Sequence, residues 1–226
     1  MTVLQLRIHE NLYIKDPQSS TLGKKIVAEA IKQIDLLGFE AFTFRKLSLA
    51  IHSTEASIYR YFENKHRLLI YLITWYWSWL EYRIQLVTQN LPEPTDRLKA
   101  VLKEITNRHQ QDDSFPDIDE NALNRIVIAE SDKTYRIKQV DQYNEDGLFR
   151  GYKSLCSYLA RLISEINPSY KYPHALASTV LEASTQQLFF AEHLPSLSEV
   201  SQSKDPYVSN YNFLQELIFQ TIDTSA

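Results

Sequence analysis

One cysteine, four glycines and no uncharged run longer than thirteen residues set the limits within which these 226 residues must fold. A lone Cys156 excludes a disulfide inside the chain and any zinc site built on a cysteine framework, and it fits a reducing cytoplasm. Scarce glycine argues against a strand-and-hairpin architecture, because tight hairpins and sharp crossovers consume it. The longest uncharged run, Leu68 to Leu80, includes Thr74 and Ser78 and is too short to cross a bilayer. No charged-then-apolar leader with a cleavage site opens the sequence, so a cytoplasmic protein with no membrane partner is expected. Catalytic signatures are also lacking. There is no glycine-rich phosphate loop, no Gly-x-Ser-x-Gly elbow and no His-Glu-x-x-His, and the six histidines are dispersed. Neither an enzyme, a cofactor nor a metal site is expected. The carboxylates Asp112, Asp113, Asp117, Asp119 and Glu120 fall in a loop, read as solvated charge, and lack the spacing of a calcium loop.

What is present is helical periodicity. A hydrophobic content of 44% suffices for a core. Ile26, Val27, Ala30, Ile31, Ile34 and Leu37 share one face of a helix from Thr21 to Leu37 that Gly38 ends. Asn64 caps another helix running to about Gln89, before Pro92 and Pro94. Further helices are predicted over 95–111, 119–131, 139–166, 173–194 and 206–223. Before the first helix, Leu4, Leu6, Ile8, Leu12 and Ile14 alternate with polar residues, which suggests a short hairpin or an extended arm over 1–20.

Between Thr43 and Arg67 two short helices surround a tight turn. Thr43 can cap the first, where Leu47, Ala50 and Ile51 fall on one face. His52 and Ser53 interrupt it. Thr54 or Ser53 can cap the second, in which Ile58 and Phe62 face inward and Glu55, Ala56, Ser57, Tyr59 and Arg60 supply polar and aromatic surface. A surface of that kind suits phosphates and base edges in the major groove. Charge is distributed to match. Residues 21–81 hold eight Lys/Arg against six Asp/Glu, whereas 82–226 hold fourteen against twenty. DNA would therefore be met by a few placed contacts and not by wholesale coating.

From about Thr21 to Leu69 the sequence resembles the TetR family of bacterial transcriptional regulators. The matching features are Gly38-Phe39, Thr43, Thr54, Tyr59-Arg60-Tyr61-Phe62 and Lys65. The chain departs from the family at His52, where glycine is usual, and at Ser53, where an apolar residue is usual. Histidine tolerates a left-handed backbone better than most residues, so the turn can survive the change.

The resemblance implies an all-α protein. Its N-terminal three-helix helix-turn-helix domain, 21–67, is joined by a fourth helix to a larger helical ligand-binding and dimerisation domain, 68–226. It implies a ligand-responsive regulator, a repressor, that binds double-stranded DNA at a palindromic operator as a homodimer formed by the last two helices. The alternative is a helical ligand-binding or interaction protein that has lost sequence-specific DNA binding. For DNA contact the candidates are Thr43, Thr54, Glu55, Ala56, Ser57, Tyr59, Tyr61 and Lys65. Glu55 and Ala56 would face bases, and Lys65 a phosphate whose loss would flatten the salt dependence of binding. For an unnamed small-molecule effector the candidates are Trp75 and Trp79 on the aromatic fourth helix, with His109, Glu130, Tyr135, Glu182, Gln186 and His193 as polar groups in apolar helices.

Overall fold

The computed structural model describes residues 5–109 and 111–223. Every regular element among them is helical. The helices are α1 (Thr21–Leu37), α2 (Phe44–Ala50), α3 (Glu55–Tyr59), α4 (Lys65–Thr88), α5 (Pro94–Ile105), α6 (Glu120–Glu130), α7 (Asp132–Tyr135), α8 (Val140–Glu145), α9 (Arg150–Ile166), α10 (Pro173–His193) and α11 (Pro206–Ile222). No helix among the described residues is long and apolar enough to cross a membrane, and no cluster of His, Cys, Asp and Glu among them could hold a metal ion.

The chain forms two compact units. One comprises 1–78 and 109–150, the other 79–108 and 151–226. In the first unit α1 packs on α2 and α6, and its apolar stripe of Ile26, Val27, Ala30, Ile31 and Ile34 is buried. Leu37 falls outside that stripe and is exposed. Ser20 caps α1 by accepting from the Gly23 N–H at 3.1 Å, and the Gly38 N–H closes its far end on Ile34.

No strand forms among the described residues of 5–20, so the hairpin reading fails; Leu4 lies outside the described residues. The alternating apolar residues instead fill gaps in the first unit. Ile8 and Leu12 are buried, whereas Ile14 is exposed and donates its N–H to the Tyr61 carbonyl at 2.8 Å. Two 3-10 turns, Glu10–Leu12 and Pro17–Ser19, fold the segment back on itself. The second turn presses on α1 at Gly23, where a β-carbon would come within 2.3 Å of the Pro17 carbonyl oxygen. Only glycine permits that approach.

The helix anticipated over 139–166 is two helices, because Gly147 takes φ 75° and breaks the run between α8 and α9. The one anticipated over 95–111 stops at Ile105, where Thr106 turns its hydroxyl back to the Leu102 carbonyl at 2.8 Å. In the second unit α11 packs on α10 and α5. The buried Asn210 donates to the Ser184 carbonyl at 2.8 Å, and Asn167 donates to that of Ile222 at 3.0 Å, tying otherwise apolar faces.

Glu120 overturns its reading as solvated charge. At 0% exposure it opens α6, with one carboxylate oxygen accepting the Asp112 N–H at 3.2 Å and the other without a hydrogen-bond partner. Burial pushes its pKa up to about 7. The folded state therefore holds this proton more tightly than the unfolded chain between the ordinary 4.5 and about 7, and the Glu120 contribution to stability falls as pH rises through that window. Glu120→Gln should flatten the decline and raise stability at pH 8 by about 1–2 kcal/mol. Thermal melts of both proteins from pH 4 to 8 check this; parallel curves would refute it.

Candidate nucleic-acid interface

The turn between α2 and α3 is closed by backbone alone. The His52 N–H donates to the Leu49 carbonyl at 3.2 Å and the Ser53 N–H to the Ser48 carbonyl at 2.9 Å, the paired bonds of a Schellman ending. The position after the helix cap normally needs a left-handed residue, and His52 supplies it with φ 54°. Replacing glycine by histidine thus leaves the turn intact.

From there α3 is oriented by one anchor and one cap. Ile58 is fully buried, while the Thr54 hydroxyl accepts the Ser57 N–H at 3.2 Å and lies 2.9 Å from the Ser57 hydroxyl. With Ile58 fixed, the helical repeat turns Glu55, Ala56 and Tyr59 to solvent. Tyr59 is 47% exposed, its ring held edge-on against Phe44 with centroids 5.1 Å apart. Thr43 is exposed at the start of α2 and caps it by accepting from the Lys46 N–H at 3.2 Å. Thr43, Thr54, Glu55, Ala56, Ser57 and Tyr59 therefore lie in or beside one short surface element.

Two predicted contacts are not on that surface. Tyr61 is only 4% exposed, and its phenol meets the Ser20 hydroxyl at 2.8 Å, so it ties the start of α1 to the segment after α3. Lys65 turns its ammonium inward. It donates to the carbonyls of Phe39, Glu40 and Phe42 at 3.1, 3.2 and 3.2 Å and lies over the Phe39 ring at 4.6 Å. Three donors meeting three carbonyls leave none for a phosphate. Lys46 and Lys25 each place one donor on a carbonyl, that of Ala41 at 2.7 Å and that of Ile51 at 3.0 Å, and stay exposed with their charge and remaining donors. Among the described residues of 43–67, the exposed cations without a hydrogen bond or ion pair are Arg45 and Arg60. Arg45 escaped sequence reasoning, although the inward positions Phe44, Leu47 and Ile51 already place it on the outer side of α2.

The effector candidates do not gather. Trp75 lines a cavity of about 40 Å³ in the first unit, with Val27, Tyr71 and Phe115, and the Lys24–Asp117 ion pair at 3.1 Å stands at its rim. That volume accommodates roughly a water molecule or two, whereas ligand sites usually need a few hundred Å³. Glu130 has other work: it accepts the Phe39 N–H at 3.1 Å and pairs with Lys133 at 2.9 Å. His109 is buried in the first unit, and Tyr135 donates to Asp132 at 3.1 Å. In the second unit Trp79 is buried, Glu182 accepts from the Tyr152 hydroxyl at 2.6 Å, and Gln186 and His193 are exposed.

Residues 26–72 match the profile described as bacterial regulatory proteins, tetR family. Over these residues the chain is similar to the tetR family. Solved structures extend the likeness of fold along the chain. A bacterial regulatory protein in the tetR family from Rhodococcus RHA1 is 15% identical, covers 92% of this chain and 100% of its own, and superposes with a TM-score of 0.64. The transcriptional regulator FadR from Bacillus subtilis in complex with stearoyl-CoA is 16% identical over 86% of this chain and 96% of its own, with a TM-score of 0.61. AibR in complex with isovaleryl coenzyme A and operator DNA is 14% identical over 87% and 98%, with a TM-score of 0.59. No curated protein matches the sequence. Within the matched region α3, its caps and the turn before it form one exposed surface, and Lys65 beneath is a structural clamp.

Lys65→Met should therefore lower stability by about 2–3 kcal/mol, the scale for removing a charged donor from acceptors it satisfies. It should leave the salt dependence of any DNA binding unchanged. A variant that melts like the parent but loses about one unit of salt slope would return Lys65 to the phosphate role.

Proposed function

We propose that the protein is a transcriptional regulator, a repressor, which binds a palindromic operator as a homodimer and is released or retained by a small-molecule effector. The observation that carries this reading is the outward face of α3, where Glu55, Ala56 and Tyr59 are exposed around the buried anchor Ile58. A carboxylate at Glu55 can accept from the cytosine amino group, and Tyr59 can meet a thymine methyl or a phosphate. Thr43, Thr54 and Ser57 offer hydroxyls to the phosphate backbone, with Arg45, Arg60 and the exposed Lys46 as available charges. The backbone-closed turn at His52 supports DNA binding over the reading in which the scaffold has lost it, since α3 keeps its place.

The dimer is assigned to α10 and α11. Val208 and Phe213 are exposed on α11, and Leu194 follows α10, in keeping with apolar surface awaiting a second copy. Two α3 helices related by a twofold axis call for half-sites about one helical turn apart or a little more. The effector acts by binding two dimer geometries with different affinity. Coenzyme A thioesters are the first class to try, because AibR and Bacillus subtilis FadR carry isovaleryl and stearoyl coenzyme A. A ligand of that size needs a larger site than the cavity beside Trp75.

Selection from random duplex DNA by the full-length protein should enrich a palindrome; no enrichment at low salt would sink the proposal. On the enriched duplex, Tyr59→Ala should weaken binding by about 1–2 kcal/mol, while loss of its ring contact with Phe44 lowers the melting temperature only modestly and leaves the protein folded under assay conditions. Equal affinity of variant and parent would remove Tyr59 from the interface.

A further inference from the structure

For the groove it would enter, α3 is short. Its five residues, Glu55–Tyr59, rise about 7.5 Å, whereas the major groove is about 12 Å wide, so groups just beyond each end of a helix spanning it stand nearest the two phosphate walls. Beyond the N-terminal end come the turn and α2, with Thr43, Arg45 and Lys46 exposed, and the exposed Lys25 of α1 reaching the Ile51 carbonyl at 3.0 Å. Beyond the C-terminal end come Arg60 and Tyr61. There the N-terminal segment joins them.

The Ile14 N–H donates to the Tyr61 carbonyl at 2.8 Å, two residues past Tyr59. Lys15 follows, exposed, with its ammonium 5.3 Å from the centre of the Tyr61 ring. That ring is buried and its hydroxyl is held by Ser20 at 2.8 Å, so the lysine stem has a firm seat. Burial accounts for Ile8 and Leu12 in this segment, but not for the two residues pinned beside α3. Ile14 is 66% exposed, and Lys15 has no hydrogen bond or ion pair among the described residues. The neighbouring carboxylates, Asp16 on the Gln18 N–H at 2.8 Å and Glu63 at 3.7 Å from Arg67, make no ion pair with it. An aromatic face alone positions the ammonium, which leaves its three donors unspent.

We propose that Lys15 contacts the operator phosphate backbone on the side of the groove faced by the C-terminal end of α3, held there by the bond from Ile14 to Tyr61. The inference rests on the DNA-binding reading above and extends that interface from the helix-turn-helix to the N-terminal segment. Lys15 and Arg60 then serve one phosphate wall as Arg45 and Lys46 serve the other.

The test uses the full-length protein and the duplex enriched from the random pool. Lys15→Met keeps an unbranched stem over Tyr61 and removes the charge. It should bind about three- to tenfold more weakly at moderate salt, with a salt slope shallower by about 0.9, and melt close to the parent. Single uncharged methylphosphonate linkages, placed in turn along the duplex, locate the phosphate. At one position in each half-site the parent should lose affinity and Lys15→Met should not. A lysine that merely shields Tyr61 would move neither readout. Ile14→Pro removes the N–H that reaches Tyr61, and Tyr13, with φ −143° and ψ 156°, already has the extended backbone that a following proline favours. It should lose the same slope, and adding Lys15→Met to it should cost no more; additive losses would overturn the tether. A parental slope in Lys15→Met, with every linkage felt alike by both proteins, would overturn the contact while leaving DNA binding standing. Failure of the parent to enrich any duplex would overturn both.

Discussion

The ammonium of Lys65 gathers the carbonyls of Phe39, Glu40 and Phe42, and the geometry of the helix-turn-helix depends on that grip. The connection between α1 and α2 is irregular: Gly38 accepts the Phe42 N–H, but the carbonyls of Phe39, Glu40 and Phe42 have no main-chain partner among the described residues. Left bare beside a buried Phe39 and Phe42 they would cost more than their bonds are worth. Lys65 satisfies three at once, from the first turn of α4. From the other side Glu130 takes the Phe39 N–H, while Lys133 bridges Glu130 and Glu40 at 2.9 Å each. Burial works against the Lys133 charge, yet its bonds to the two carboxylates outweigh burial and hold its pKa above the ordinary value. Main-chain polarity at one connection thus recruits side chains from α4, α6 and α7.

This arrangement explains which parts of the molecule could be read in advance. Helix ends governed by local chemistry were legible: Thr21–Leu37 with Gly38 after it, Thr43 and Thr54 as caps, and Asn64 accepting the Arg67 N–H at 2.9 Å. The all-helical class followed from periodicity and scarce glycine. The left-handed turn at His52 was legible too, since it depends on one residue's backbone tolerance.

What local pattern does not carry is the direction of long or amphipathic side chains. Lysine serves equally as a phosphate ligand and as a cap for stray carbonyls, and the choice at Lys65 is made by residues 23 to 26 positions earlier in the chain. Tyr61 turns inward because Ser20, 41 residues away, offers its hydroxyl. Glu120 is buried by the loop that folds over it, with Asp112 supplying its hydrogen bond. The break at Gly147 was visible as a glycine but not as a helix end, because periodicity on both sides of it continues. Effector residues were the least legible, since a polar group in an apolar helix looks the same whether it awaits a ligand or, like Glu130, already serves a neighbouring main-chain amide.

The contact of Pro17 with Gly23 carries a genetic implication. A methyl group at position 23 leaves no room for the Pro17 carbonyl, so the N-terminal segment would have to leave α1. With it would go the cover over Leu12 and the hydrogen bond from Ile14 to Tyr61, two residues beyond the tyrosine on the outward face of α3. A substitution at this inconspicuous glycine would therefore be selected against for the placement of the whole N-terminal segment, and not for any contact that residue 23 makes through a side chain of its own.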